Sequence, residues 1–404
     1  MRQAISPGGG TRSLRPFYFG IVFFYSAYVL LLQGVRWGLA EAAGSSFLLA
    51  ATVALPVLPQ VLAGLLRLES IGGRRPLHAT VLIAAGALGA LALVSFAAGG
   101  PVLAGLLLAA TLVGGWADAL AVPQSQASLM QALPTAARVR GSRNFELASR
   151  LPSVLAPIAG GALIYALGLP WTLAAAAGLV ALGGVFFRGR DTLRKDEAAG
   201  RKTLTLGRSI ALIRHDRWLL TALLVRGLSN LAWPAYTIAL PLLVLHRLHG
   251  GAAAYGGLLG LYGVSVMVAA ALSGGLRREW LRQVYFLSWV VTGLGFGILA
   301  VAPSLPLAGL GAVVAGASSP YVHMALDTHI GTEIPPEDQA SLFAFQRLVI
   351  SAMSIIGSSL VGLALLRATP GEVLFGAGAI LAAAGIAGAV SGRLGLRRQL
   401  APPA

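Results

Sequence analysis

The sequence predicts an all-α polytopic membrane protein, with twelve transmembrane helices arranged as two pseudo-symmetric six-helix bundles. Three observations lead there. Of 404 residues, 56% are hydrophobic and only 11% charged, with a mean hydropathy of +0.78, too little polar surface to clothe a soluble core of that size. Apolar runs of hydrocarbon-crossing length recur along the chain, divided by loops that are alternately basic and almost uncharged. Features of the first half return in the second.

Crossing ~30 Å of hydrocarbon takes about 20 helical residues. The first apolar run begins at Phe17, after Arg2, Arg12 and Arg15. It is too long for a signal-peptide core and has no small-residue cleavage site, so it reads as a span. Cutting at charges and at Gly/Pro turns places first-half spans near 16–38, 46–66, 77–98, 102–130, 141–166 and 170–188. The second half has spans near 217–245, 253–276, 283–302, 305–328, 340–366 and 371–392. The 52 glycines follow no collagen-like period and suit helices that pack backbone to backbone in lipid.

The loops Arg67–Arg75, Arg138–Arg140 and Arg277–Arg282 and the tail Arg393–Arg398 are basic, whereas Ala97–Pro101, Leu167–Pro170 and Ala302–Leu305 are almost free of charge. Positive loops stay inside, so both termini are expected to be cytoplasmic. Gly189–Asp216 is the most polar stretch, with Arg190, Asp191, Lys195, Asp196, Glu197 and Lys202. It divides the chain into an N-terminal bundle (1–188), a cytoplasmic linker (189–216) and a C-terminal bundle (217–404), and Thr205–Arg214 reads as a surface helix. The halves repeat. Leu103-Ala104-Gly105 opens the fourth span and Leu307-Ala308-Gly309 the tenth; Pro134 and Pro335-Pro336 follow, and then Gly141-Ser142 and Ala340-Ser341. Carriers built from two repeats hold substrate near the midplane between them.

This pattern resembles the major facilitator superfamily, in particular its drug:proton antiporter branch with macrolide-efflux and enterobactin-type siderophore exporters. The most specific piece is Arg138–Leu163, RVRGSRNFELASRLPSVLAPIAGGAL, similar to that branch's fifth helix. Pro157, Gly160 and Gly161 match the GPxxGG part of the antiporter motif, with Ala156 where the family has Gly. Pro157 removes a backbone bond and the glycines permit close packing, so the resemblance implies a bend that opens and closes. Gly73, Arg74 and Arg75 match the end of the gating motif GxxxDRxGRR, whose Asp is missing. Glu69 lies one residue out of register, and Gly275, Glu279 and Arg282 form a reduced second copy. The resemblance implies that Glu69 and Arg74 pair at the cytoplasmic gate; a purely topogenic basic loop is the alternative. No arginine stands near Ala110–Gly114, where the family's fourth helix carries one linked to proton transfer.

A charge in the bilayer costs at least a few kcal/mol and turns toward a cavity or a partner. Asp118 is expected ~21 Å below the outer edge of the fourth span, and Arg226 about 13 Å up the seventh. In the superfamily, helices 1, 4, 7 and 10 line the cavity, so a pair between Asp118 and Arg226 closing the cytoplasmic side is the preferred expectation; separate satisfaction by backbone or water is the alternative. Glu146 and Arg150, four apart, share a face and form either a local ion pair or part of a gate, with Arg347 a loose counterpart. His323 and Asp327 share a face of the tenth span near Tyr321 and His329, and a proton suits them better than a metal. Gln33 and Arg36 lie in the outer first span, where Arg36 either snorkels or attracts an anion. Asn230, Trp233 and Tyr236 surround a helix break at Pro234 and are candidate cavity residues.

The absence of cysteine excludes thiolate metal sites and disulfides. The net charge of +16 is scattered between apolar runs and makes no nucleic-acid patch. No phosphate-binding loop or dinucleotide fingerprint occurs, and no catalytic constellation. No cofactor and no enzymatic activity are expected. The expected function is secondary, proton-coupled export of a small amphipathic or anionic compound, drug- or siderophore-like, by a monomer in the bacterial inner membrane. An importer, or a lipid- or metal-moving carrier of the same fold, is the alternative; a non-transporting membrane partner protein is the remote one.

Overall fold

The computed structural model describes residues 14–43, 45–65, 77–132, 144–145, 147–188, 206–273 and 278–400. In the first half these form α1 (Arg15–Ala43), α2 (Ser46–Leu65), α3 (Leu77–Ser95), α4 (Gly100–Ala132), α5 (Pro152–Leu167) and α6 (Leu169–Phe187). A short helix, α7 (Leu206–His215), precedes the second half, where the sequence reading places a surface helix. There follow α8 (Arg217–Ala232), α9 (Pro234–Leu242) with a π-helical turn Leu243–Arg247, α10 (Ala252–Leu272), α11 (Arg278–Val301), α12 (Leu305–Glu333), α13 (Pro336–Ala364) and α14 (Pro370–Leu400). Among the described residues eleven stretches are long and apolar enough to cross a membrane, and Ser46–Leu62 is a shorter apolar helix in the second position. Lipid offers backbone groups no partner, so each crossing closes its own hydrogen bonds as a helix.

The repeat is carried by packing. In the first bundle α1 packs on α4, α5 and α6, α2 on α4, and α3 on α4 and α6. Shifted by six spans, the same contacts recur: α8 on α12, α13 and α14, α10 on α12, and α11 on α12 and α14. The main pairings between the bundles are α5 with α10 and α2 with α13, which too are equivalent under the shift; α9 adds smaller contacts with α1 and α2.

Small residues set the helix separations. A Cβ on Gly115 of α4 would lie 2.5 Å from Pro56 Cα of α2, and one on Gly311 of α12 would lie 2.8 Å from Leu299 N of α11. Only backbones without a side chain between them approach so closely. Gly100 and Gly168 adopt φ of +54° and +87° and turn the chain before α4 and before α6, a conformation with little steric cost only for glycine. Pro234 has no N–H to offer Asn230, so the seventh span breaks into α8 and α9. Large apolar side chains such as Leu93, Tyr165 and Leu272 project outward, as a lipid-facing surface requires.

With twelve crossings, α1 starts and α14 ends on one side of the bundle, the terminal face; the opposite side is the distal face. The bundles meet in the distal half. Ser46 Oγ donates to Gly362 O at 3.0 Å, and Trp37 stacks on Tyr255 with ring centroids 5.8 Å apart. Gln33, whose Nε2 donates to Pro157 O of its own bundle at 2.9 Å, lies against Gly256 of the other, where an added Cβ would stand 2.9 Å from that nitrogen.

Candidate functional site

At mid-depth a cavity of ≈310 Å³ lies against the inner wall of the second bundle. Arg226, Ser229, Asn230 and Trp233 of the broken seventh span face it, with Tyr262 of α10, Trp289 and Thr292 of α11, and Ser319, Val322 and His323 of α12. The first bundle contributes Arg150. The break at Pro234 turns the end of α8 toward this space, so Asn230 and Trp233 line it together.

Arg226 is the centre of the wall. It is only 6% exposed. Its Nη2 lies 3.3 Å from His323 Nδ1, and because arginine only donates, the facing ring nitrogen accepts. Its guanidinium carbon sits 5.6 Å from the centroid of Trp289, a cation–π distance. Its Nε has no hydrogen-bond partner, nor has Trp289 Nε1. Behind these groups stands an aromatic stack. Tyr236 lies parallel to Phe296 at 5.4 Å, and Trp233 contacts Tyr236, Tyr262 and Phe296 at 5.6–6.0 Å. The site thus offers a cation, surplus N–H donors and a broad apolar wall.

The expected pair between Asp118 and Arg226 is not formed. Asp118 accepts from Gln60 Nε2 of α2 at 2.9 Å, and the basic side chain whose field acts on it is Arg347 of α13. Among the described residues no ion pair joins Asp118 to Arg226. The bundles are fastened at the distal end, and at this depth the two side chains stay apart across the cleft, Asp118 against Gln60 and Arg226 against His323.

Gln33 and Arg36 lie in the distal seam rather than the cavity wall. Gln33 bonds Pro157 O, and Arg36 Nε reaches Thr52 Oγ1 at 3.4 Å beside the Tyr255 hydroxyl. Tyr321 also turns away, its hydroxyl 3.3 Å from Ala269 O. Tyr236 is buried in the second layer. Asp327 is exposed a turn beyond His323, and its field reaches Arg226. Glu69, Gly73, Arg74, Arg75 and Glu146 fall outside the described residues.

Pro157, Gly160 and Gly161 form a tight crossing. A Cβ on Gly160 would meet Leu30 and Gln33 of α1 at 2.6 and 2.8 Å, whereas one on Gly161 would meet Ala252 O of α10 at 2.6 Å. Pro157 cannot donate to Ser153 O. That carbonyl is where the other bundle seats Gly263, whose added Cβ would stand 2.5 Å from it.

A second polar cluster marks the terminal face of the second bundle. Asp216 caps α8, accepting from Leu219 N at 3.0 Å, and its Oδ2 lies 2.6 Å from His329 Nε2 of α12. His329 packs on Trp218 at 4.3 Å, Arg282 lies 5.8 Å over the same indole, and Arg282 approaches Glu333 at 3.8 Å. Burial raises the Asp216 carboxyl, but the hydrogen bonds from His329 and Leu219 outweigh it and hold the group below the usual carboxylate range. Sequence reading took Asp216 for the end of a linker; its signal was an acid standing immediately before a helix. Trp289 and Tyr262 were also missed, since an aromatic residue in an apolar run carries no mark of facing a cavity.

The sequence matches the family model for the Major Facilitator Superfamily over residues 16–358. No curated protein sequence matches significantly. Solved structures share the fold at low identity. One is a bacterial homologue of the human lysosomal transporter Spinster in an inward-facing and occupied conformation, at 13% identity and TM-score 0.70, covering 96% of this chain and 98% of that one. A mutant of the peptide transporter POT bound to alafosfalin has 14% identity and TM-score 0.70, with 95% of each chain covered. The nucleoside transporter NupG has 11% identity and TM-score 0.68, covering 94% and 99%.

Proposed function

Since the chain belongs to the major facilitator superfamily, we propose that it is a secondary transporter that exports a small amphipathic or anionic compound against proton entry, by alternating access. The observation that carries this reading is the asymmetry of the inter-bundle contacts. Ser46–Gly362, Trp37–Tyr255 and the crossing of Gly161 on Ala252 fasten the distal half, while a polar cavity lies at mid-depth beside the junction. With the terminal face taken as cytoplasmic, the side to which the basic loops fall, the arrangement supports an inward-open reading of a bacterial inner-membrane protein. The inward-facing Spinster homologue, at TM-score 0.70, supports the assignment. The bundles 1–188 and 217–404 rock about the seam as units, joined by 189–216, and the protein works as a monomer.

Asp118 is the coupling carboxylate in this proposal. It is the acid set between α2 and α4 with a cation of the opposite bundle, Arg347, acting on it. Protonation would cancel that attraction and free the bundles to change their relation. The cavity of ≈310 Å³ stands at the small end of ligand pockets, roughly 300–1,000 Å³, which favours a small compound over one of siderophore size.

The natural absence of cysteine gives a direct test. Ser319→Cys, in the cavity wall, is expected to react with a membrane-impermeant maleimide from the terminal side in the resting protein. When the distal seam is forced apart by Gly161→Ala, reactivity is expected from the distal side. Reactivity that stays on one side in both proteins refutes alternating access. In cells, deletion raises the internal level of an exported compound, and a fall instead identifies import.

A further inference from the structure

A buried guanidinium without a carboxylate is expensive, and that expense identifies what the cavity takes. Arg226 is 6% exposed, and among the described residues it makes no ion pair. Its neighbours are an imidazole nitrogen at 3.3 Å and an indole face at 5.6 Å, neither of which supplies a formal negative charge. Its Nε is without a partner. Taking an ion out of water costs several kcal/mol unless a counter-charge meets it, and burying an unpaired N–H donor adds to the cost. The wall holds a second cation, Arg150, from the opposite bundle, and no lining residue is a carboxylate. Trp289 Nε1 is a further orphaned donor. The acid whose field acts on Arg226, Asp327, is exposed.

We propose that the cavity is a binding site for a small organic anion. Its carboxylate or phosphate ester is held by Arg226 on the Trp289 face, and its flat apolar body lies against Trp233 and Tyr262. This rests on the reading of the cavity as the transport site and names its substrate class. The planar guanidinium matches either oxyanion in a two-point contact. The indole of Trp289 keeps the cation in place when the site is empty. Trp233 and Tyr262, with ring centroids 6.0 Å apart and inclined at 60°, offer a wall of the size of a fused aromatic ring. A cationic compound would be repelled by the Arg226 guanidinium. A neutral one would leave Arg226 without its counter-charge.

The test uses purified full-length protein in detergent, where binding is read without transport. The probes are 2-naphthoate and 2-naphthyl phosphate, against 2-naphthamide and 2-naphthylmethylamine, with thermal shift and quenching of tryptophan fluorescence as readouts. At least one of the two anions is expected to stabilise and quench, and which one does so separates carboxylate from phosphate recognition; the amide and the amine are expected to do neither. Arg226→Gln should weaken anion binding by about ten- to a hundredfold, as loss of a charge-assisted bond does. Trp289→Phe keeps an aromatic face, removes the N–H and is expected to weaken binding severalfold. If the amide or amine binds as well as the anions, or if folded Arg226→Gln and Trp289→Phe bind the anions as wild type does, the proposal falls. The two readings fail separately. Anion binding without movement across proteoliposomes would leave the site and remove the transporter. Movement of a neutral or cationic compound that no anion inhibits would leave the transporter and remove the site.

Discussion

Replacing Gly161 by alanine adds one methyl group at the point where α5 of one bundle lies on α10 of the other. The added Cβ would stand 2.6 Å from Ala252 O and 3.0 Å from Gly256 Cα. Ordinary contact begins near 3.4 Å, so the helices must part by up to about 0.8 Å, and the obstacle is backbone that no rotamer change can move. Overpacking of this kind costs about 1–3 kcal/mol. Since the clash lies between the bundles, it burdens only the state in which their distal halves touch. A burden of that size on one of two states shifts their ratio about 5- to 150-fold.

Spin labels at Glu41→Cys and Leu366→Cys, exposed near the distal ends of α1 and α13, report the opening as a longer inter-label distance. The control is Gly311→Ala, whose Cβ would stand 2.8 Å from Leu299 N within one bundle. It should lower the melting temperature without moving the distance distribution. If Gly161→Ala behaves like Gly311→Ala, losing stability with no change in distances, the seam does not part and the reasoning is refuted.

Asp118→Asn retains an acceptor for Gln60 but cannot exchange a proton. It is expected to fold, to keep substrate exchange across vesicles and to lose transport driven by a pH gradient; gradient-driven transport at the wild-type rate would clear Asp118 of coupling. Arg347→Gln is expected to change the pH at which coupling is half-maximal, read from the same vesicle assay across pH 5–9, whereas an unchanged profile would remove it as Asp118's counter-charge. Asp216→Ala loses a helix cap and the His329 bond, for a cost of about 1–2 kcal/mol in thermal stability. Because its carboxyl is held below the usual carboxylate range when folded, the stabilisation is complete above the unfolded value, about pH 4, and is lost as pH falls through the folded value. The melting-temperature gap between wild type and Asp216→Ala should therefore be widest near pH 7 and close in strong acid; a gap that persists there means that ionisation contributes nothing.

The spans were legible because lipid imposes a length and because basic loops alternate with neutral ones. The break at Pro234 and the polar residues beside it were legible for a related reason: Arg226, Asn230 and His323 stand out where a polar group is costly. The pairing of Asp118 with Arg226, expected of a state closed on the cytoplasmic side, is not formed in this one, and sequence gives depth along a helix but little about azimuth. Each residue turns the helix by about 100°, so two charges at one level can face opposite ways, and here Asp118 faces Gln60 while Arg226 faces His323. Trp289 and Tyr262 were hidden because an aromatic residue is as natural against lipid or core as in a cavity wall. Asp216 was hidden by distance, since His329 lies 113 positions away.

The seam explains how the two bundles can be firmly joined and still separate. Between lipid-embedded surfaces there is no hydrophobic gain from closure, so close packing and polar contacts must hold it. Side chains that interlock would give strength and would also have to be unpicked at each cycle. Here the crossing is backbone on backbone. Gly256 and Gly161 let α5 and α10 touch, and Gly263 approaches the Ser153 carbonyl that Pro157 leaves without its helical donor. A Cα–H···O contact of this kind is worth about 0.5–1 kcal/mol, and the Ser46–Gly362 bond about 1 kcal/mol. A handful of such terms suits a gate, because a proton or an anion within the cleft commands comparable energies. A seam of leucines in place of these glycines would force the helices apart, and one of ion pairs would resist opening. The same small residues that fix the closed geometry therefore keep it reversible.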